Sequence, residues 1–313
     1  MTNALFSIII FPGFFFLSIL ALFAEFFDRK LYARLQNRVG PPWFQPFADF
    51  IKLIAKEDII PCDSSPRMFQ LAPVFALCAA VTTFLYIPLW RRDTNFSFNG
   101  DIIVILYFLT IPTLAFFIGG WYSTSLYARI GSVRCLTQLF AYEIPLFMGI
   151  LSAALLANTW SLSGMMVFYS RHPLLWLCNL LGFAVSLVSL LGKLEKVPFD
   201  IPEAETEVVA GAFTEYSGRL FALLRLTLDV ETVTGAALLA AVFLPFGLTL
   251  NAPLAFVIFL LKVLSIIAVL SLCRTVVARL RMDQMIDFCW KYLVPLGILQ
   301  LLINLFLKMG LSI

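Results

Sequence analysis

Long apolar runs alternate along this chain with shorter polar connections. A helix needs about 20 apolar residues to cross the hydrocarbon core of a bilayer. Eight runs meet that length, at 5–27, 69–90, 101–120, 134–158, 173–194, 220–247, 252–279 and 289–309. None alternates with the period of a barrel strand, and backbone groups in lipid must be satisfied within the segment, so all eight are predicted as helices. The expected fold is all-α, a polytopic membrane helix bundle forming a single membrane domain over 1–313. No internal repeat is visible. The first run has neither a basic leader nor a small-residue cleavage motif, so it is expected to stay as a span.

The connections are unequal. Those at 28–68, 121–134, 193–219 and 274–291 hold sixteen Lys and Arg, against three (Arg91, Arg92, Arg171) on the opposite side. The positive-inside rule then puts the rich set in the cytoplasm and both termini outside, in the plasma membrane of the cell. Within 28–68, Pro41 and Pro42 break the first helix's extension. Trp43, Phe47, Phe50, Ile51 and Ile54 then recur at helical spacing, while Asp49, Lys52 and Lys56 lie off that stripe. This predicts an amphipathic interfacial helix, either a plain anchor or a platform for a peripheral protein. The basic cluster Arg29, Lys30, Arg34 and Arg38 suits lipid headgroups or an acidic partner surface.

Composition agrees. The 313 residues are 61% hydrophobic and 13% charged, with 32 Phe, where a soluble globular protein carries about 25% charged residues. A net charge of +3 without a basic run gives no reason to expect nucleic acid. Six cysteines without a CxxC pair, and one histidine, leave no clustered ligand set for zinc or iron–sulfur. The cysteines read as packing residues.

Chemistry therefore falls to ionisable groups at membrane depth. Glu143 lies in the fourth span, Arg225, Asp229 and Glu231 in the sixth, and Lys262 in the seventh. Facing lipid, each would cost about 2.5–3.5 kcal/mol, so each is expected to be paired or hydrated inside the bundle. Arg225 and Asp229, four residues apart, are placed to form an internal ion pair. Asp229 and Glu231 lie about 200° apart and face different neighbours. Such groups serve either as structural pairs or as a proton or ion relay. The densest polar stretch is 193–219, KLEKVPFDIPEAETEVVAGAFTEYSGR, with six acids against three cations. Pro198 and Pro202 forbid a regular helix through VPFDIP. A short helix is expected from Glu203 onward, with Glu203 and Glu207 on one face and Glu205 elsewhere. Apolar residues threaded among the acids suit a partly buried loop lining a cavity.

PFDIPEAETEVVAGAFTEYSG resembles the signature of the respiratory complex I subunit 1 family, which includes the matching membrane subunit of energy-converting membrane-bound [NiFe] hydrogenases. ARLQNRVGPPWFQPFADFIKLIAKEDIIP and GWYSTSLYARIGSVRCLTQLFAYEIP resemble two further signatures of that family, in family order, and coverage is close to end to end. Quinone-reducing members typically have a doubled RxGPNxxGP element, where this chain has a single NRVGPP. They also follow the central motif with FALFFLAEY, where this chain has FALLRLTLDVETV. Both departures resemble the hydrogenase branch or its relatives that pass electrons to sulfur compounds.

The resemblance implies a non-catalytic membrane anchor for a peripheral, ferredoxin-oxidising redox arm. It implies no cofactor in this chain, with iron–sulfur clusters and, in a hydrogenase-type complex, [NiFe] in partner subunits. Those partners would be a hydrogenase-like large subunit, a small iron–sulfur subunit and antiporter-like membrane subunits, with lipids around them. Matching positions for the proton or ion relay are Glu143, Glu203, Glu205, Glu207 and Glu215. Asp229, Glu231 and Lys262 join them on weaker local motifs. Arg34, Arg38, Gly40, Lys52 and Asp200 fall at the expected peripheral-arm interface. The alternatives are a quinone-site subunit of a respiratory complex I and a standalone secondary transporter, the latter disfavoured by the missing repeat.

Overall fold

The computed structural model describes residues 2–62, 64–89, 96–247 and 251–311. They form fourteen α-helices: α1 (Thr2–Ile9), α2 (Phe14–Leu35), α3 (Gln45–Ile54), α4 (Pro66–Leu85), α5 (Asp101–Tyr122), α6 (Leu126–Ala157), α7 (Leu162–Arg171), α8 (Pro173–Cys178), α9 (Leu180–Lys193), α10 (Glu205–Val208), α11 (Gly218–Phe243), α12 (Ala252–Val276), α13 (Met282–Phe288) and α14 (Val294–Leu311). A 3₁₀ turn covers Gly211–Phe213, and a π turn at Cys289–Leu293 joins α13 to α14. No strand occurs among the described residues.

Seven helical stretches are long and apolar enough to cross a membrane. The eighth span is built from two pieces. α8 stops at Cys178, and α9 restarts at Leu180 as a helix of 14 residues. A break at membrane depth leaves backbone groups that lipid cannot satisfy. Here a buried polar cluster takes that role. Gln300 Nε2 donates to the Cys178 carbonyl at 3.0 Å. Asn304 Nδ2 donates to Asn179 Oδ1 at 2.7 Å, and Asn179 Nδ2 donates to the Tyr169 hydroxyl at 2.8 Å. The first expected span is likewise divided. Phe11, Pro12 and Gly13 separate α1 from α2, and a Cβ on Gly13 would lie 1.8 Å from the Ile8 carbonyl oxygen.

The centre of the bundle is α11. Every residue from Val230 to Phe243 is buried, as expected for a helix apolar all round. α2, α4, α9 and α12 pack around it, and α6 lies between α5, α9 and α14. With 32 residues, α6 is about 48 Å long and outreaches the hydrocarbon core. Its first turns therefore carry Arg129 and Arg134, which the sequence placed in a connection.

The four connections expected to share a side do meet at one end of the bundle. Asp58 of the first binds Arg219 of the third. Arg134, at the start of α6, binds Glu207 of the third, which also pairs with Arg279 of the fourth. The opposite end gathers the other set, where Asp101 Oδ1 accepts from the Leu162 backbone amide. Arg91 and Arg92 lie outside the described residues.

Candidate functional site

Two charged clusters lie beneath the shared end, and the end of α9 divides them. Lys193 Nζ lies 2.7 Å from Glu231 Oε1, and the two side chains are 2% and 1% exposed. The contact is charge to charge. Neither Glu231 oxygen accepts a well-aligned hydrogen bond among the described residues. Lys193 Nζ also lies 3.4 Å from the Thr113 hydroxyl, which is 3.1 Å from the Tyr142 hydroxyl. Lys193 and Glu143 line one small cleft with Tyr142, Leu109 and Phe147. The α9 terminus is stapled to α6 by Gln138, whose Nε2 donates to the carbonyls of Gly192 and Phe199 at 2.7 and 2.9 Å.

Three residues on, Lys196 turns the other way. Its Nζ lies 2.7 Å from Asp28 Oδ2 and 3.9 Å from Glu25. Asp28 also accepts from Ser271 and, at 3.4 Å, from Arg274. Burial alone would lower the Lys196 ammonium, but the charges of Asp28 and Glu25 outweigh it and raise it above its ordinary value. Asp229 faces this second cluster, within the fields of Glu25, Lys196, Arg225 and Arg29. Asp229 and Glu231 thus face different neighbours, as their spacing requires.

The segment above both clusters is not a solvated loop. Phe199, Ile201, Ala204, Val208, Phe213 and Tyr216 are all buried. Tyr216 stacks on Phe69 at 4.0 Å and donates to its carbonyl at 3.0 Å. The helix expected from Glu203 is reduced to one turn, α10, because Val209 and Gly211 take positive φ and fold the chain against α6. A Cβ on Gly211 would sit 1.8 Å from the Pro202 carbonyl oxygen, and one on Gly131 of α6 would sit 2.5 Å from the Gly211 Cα. Only glycine permits that approach.

This folding separates the acids of the stretch. Glu203 Oε1 lies 3.6 Å from Arg225, so the expected Arg225–Asp229 pair gives way to Arg225–Glu203. Glu207 is 51% exposed, held by Arg134 at 2.6 Å and Arg279 at 3.4 Å. The hydrogen bond from Arg134 holds its carboxyl below the ordinary value. Arg134, Glu207, Arg279, Arg281 and Asp283 line an open polar cavity of about 420 Å³. Asp200 and Glu215 are half-buried, and the Glu205 side chain lies outside the described residues.

The first loop forms the other half of this face. α3 lies where the amphipathic pattern put it, with Trp43, Ile51 and Ile54 exposed and Phe47 and Phe50 packed inward. Arg34, Arg38 and Lys52 are exposed. Gly40 has φ +74. Arg29 is not free to bind lipid or a partner, because it pairs with Glu25 at 2.6 Å and Asp49 at 3.2 Å. The loop's end is clamped to the central stretch. Arg219 donates from its backbone and side-chain nitrogens to Asp58, each at 2.7 Å, and the Ile59 amide donates to Ser217 Oγ at 3.0 Å.

Lys262 is not brought to these acids. It donates to the Leu244 and Phe246 carbonyls at the far end of α11. Sequence reasoning missed Lys193 and Lys196, read as loop cations, and Glu25 and Asp28, placed at or beyond the end of the first span. α2 runs on to Leu35 and carries both acids into the bundle. It also missed Cys135, read as packing, whose thiol donates to Glu195. No cluster of His, Cys, Asp and Glu able to hold a metal occurs among the described residues.

Comparison with known proteins follows this architecture. A family model described as NADH dehydrogenase matches residues 7–305. A membrane-complex relative from Dehalococcoides mccartyi, a subunit of its NADH-quinone oxidoreductase, is 35% identical over 307 residues, covering 96% of this chain and 85% of that one. The corresponding NADH-quinone oxidoreductase subunit of Symbiobacterium thermophilum is 36% identical over 290 residues, covering 88% of each. The fold is shared with a chain in the structure of the membrane-bound sulfane sulfur reductase, an archaeal respiratory membrane complex. That match has a TM-score of 0.85 at 24% identity and covers 97% of this chain and 98% of the other. The chain therefore belongs to the NADH dehydrogenase family, in its complex I subunit 1 branch.

Proposed function

We propose that this chain is the membrane-anchor and ion-coupling subunit of a respiratory membrane complex. It would join a ferredoxin-oxidising, hydrogenase-type redox arm to antiporter-like pump subunits. The arm's large subunit and small iron–sulfur subunit would dock on the face formed by the first loop and the central stretch. The redox groups belong to those partners. The sixteen-to-three bias puts that face in the cytoplasm, with both termini outside the plasma membrane.

The observation that carries this reading is the Lys193–Glu231 pair, buried directly beneath the docking face and tied to it through one short segment. A redox event in the arm can couple to ions only if the segment interacts differently with two redox states. A shift of its pose then changes the field that Lys193 and Lys196 impose on Glu231, Glu143, Asp229 and Asp28. Glu143→Gln is expected to abolish ion-gradient formation in the reconstituted complex while dye-linked activity of the arm persists. Unimpaired pumping would remove Glu143 from the path.

A second reading, a quinone-site subunit, is favoured by the names of the relatives, which are subunits of NADH-quinone oxidoreductases. Electron transfer from the purified complex to added quinone, blocked by hydrophobic site inhibitors, would decide for it.

A further inference from the structure

Glu195 takes no part in the pairs described above. Its side chain is buried, 7% exposed, beside Lys193. Its backbone has φ +51, a conformation that a non-glycine residue keeps only where the surroundings hold it. That turn ends α9 and aims the carboxylate at α6, where Cys135 Sγ donates to Glu195 Oε1 at 2.9 Å. The same sulfur lies 3.8 Å from the Thr113 carbonyl oxygen. One S–H proton can serve only one of these two acceptors at a time.

We infer that Glu195 and Cys135 form a proton-holding step between the acidic central stretch and the buried Lys193–Glu231 pair, with the thiol turning between two acceptors as Glu195 gains and loses a proton. With Glu195 ionised, the thiol donates to it. When Glu195 takes up a proton, its O–H donates to the sulfur and the S–H swings to the Thr113 carbonyl. The thiol keeps its own proton throughout, so one proton is stored per cycle and no redox partner is needed. Cys135 is a positioning residue here.

The groups facing Glu195 come from every element around it: Cys135 and Tyr142 of α6, Lys193 of α9, Glu231 of α11 and Glu203 of the central stretch. Burial pushes the Glu195 carboxyl up to about 8, the Cys135 hydrogen bond opposes the rise, Glu203 and Glu231 add to it, and Lys193 resists it. A carboxyl so placed exchanges its proton near neutral pH, between a half-exposed acid and a fully buried one.

The inference rests on the coupling reading for its purpose, yet its first test does not depend on pumping. The cysteine S–H stretching band falls in a spectral window free of other protein bands. Infrared spectra of the purified complex, taken as wild type minus Cys135→Ser, isolate the Cys135 band. It is expected to move once to lower frequency as pH rises through about 8, when the acceptor becomes a carboxylate. Glu195→Gln is expected to abolish the step. Glu203→Gln, by removing a negative charge, is expected to move its midpoint to lower pH. A Cys135 band insensitive to pH, or one that moves equally in Glu195→Gln, would overturn the inference.

The second test is the pH profile of ion-gradient formation. Cys135→Ala is expected to shift it to higher pH and Cys135→Ser to restore it, with dye-linked activity equal in both. Identical profiles in the two variants would overturn the positioning role. A titrating Cys135 band alongside intact pumping in Glu143→Gln would sink the coupling reading while leaving this proton site standing.

Discussion

Lys193 is a cation with almost no water, so its contribution depends on Glu231 being present. Removing one member of a buried ion pair costs about 3–5 kcal/mol, because the other is left charged and uncompensated, whereas replacing both by apolar groups is often neutral for folding. Lys193→Met and Glu231→Met singly are therefore expected to lower thermal stability sharply. The double variant is expected to recover most of it while remaining unable to form an ion gradient. If the double variant pumps, the pair is a packing device alone. Cys135 shows why such groups escape a sequence reading. A lone cysteine in an apolar helix looks like any small packing residue, and only the fold of a segment sixty residues away gives its thiol a carboxylate.

At the level of elements, the sequence carried the helices more fully than the segment between them. The apolar runs, the amphipathic α3 and the opposed bearings of Asp229 and Glu231 follow from period and spacing. The broken span at Asn179 did not, because Gln300 and Asn304, which satisfy the break, lie far away in the chain. The one-turn α10 did not either, since EAETEVVAGAF has ordinary helical composition. Its path is set by close backbone approach at Gly211 and Gly131. Gly211→Ala meets both a positive φ and the Pro202 carbonyl, and is expected to cost about 2 kcal/mol or more. It should lift the central stretch off α6. Faster protease cleavage within 203–216, with the spans still protected, would register that; unchanged cleavage would count against the packing described.

Across the whole molecule, the charge bias grouped the connections correctly, and the structure adds how they are fastened. Burial tends to raise the Asp58 carboxyl, but the hydrogen bonds from Arg219 prevail and hold it below its ordinary value. A depressed carboxylate contributes stability above its unfolded pKa of about 3.9 and loses it as pH falls through the lower folded value. Asp58→Asn is expected to cost about 1 kcal/mol at neutral pH. The gap from wild type should close only in the acid range below about pH 4, as read from melting temperatures across pH. A gap constant down to about pH 2, below the ordinary carboxylate range, would show that the clamp is not ionic.

Lys193 and Lys196 are opposite arms of one lever whose fulcrum is the left-handed turn at Glu195. A lever cannot tip at one end only. Any tug on the segment that draws one ammonium away from its acid must reset the other as well, so neither half of the charged interior can be tuned in isolation.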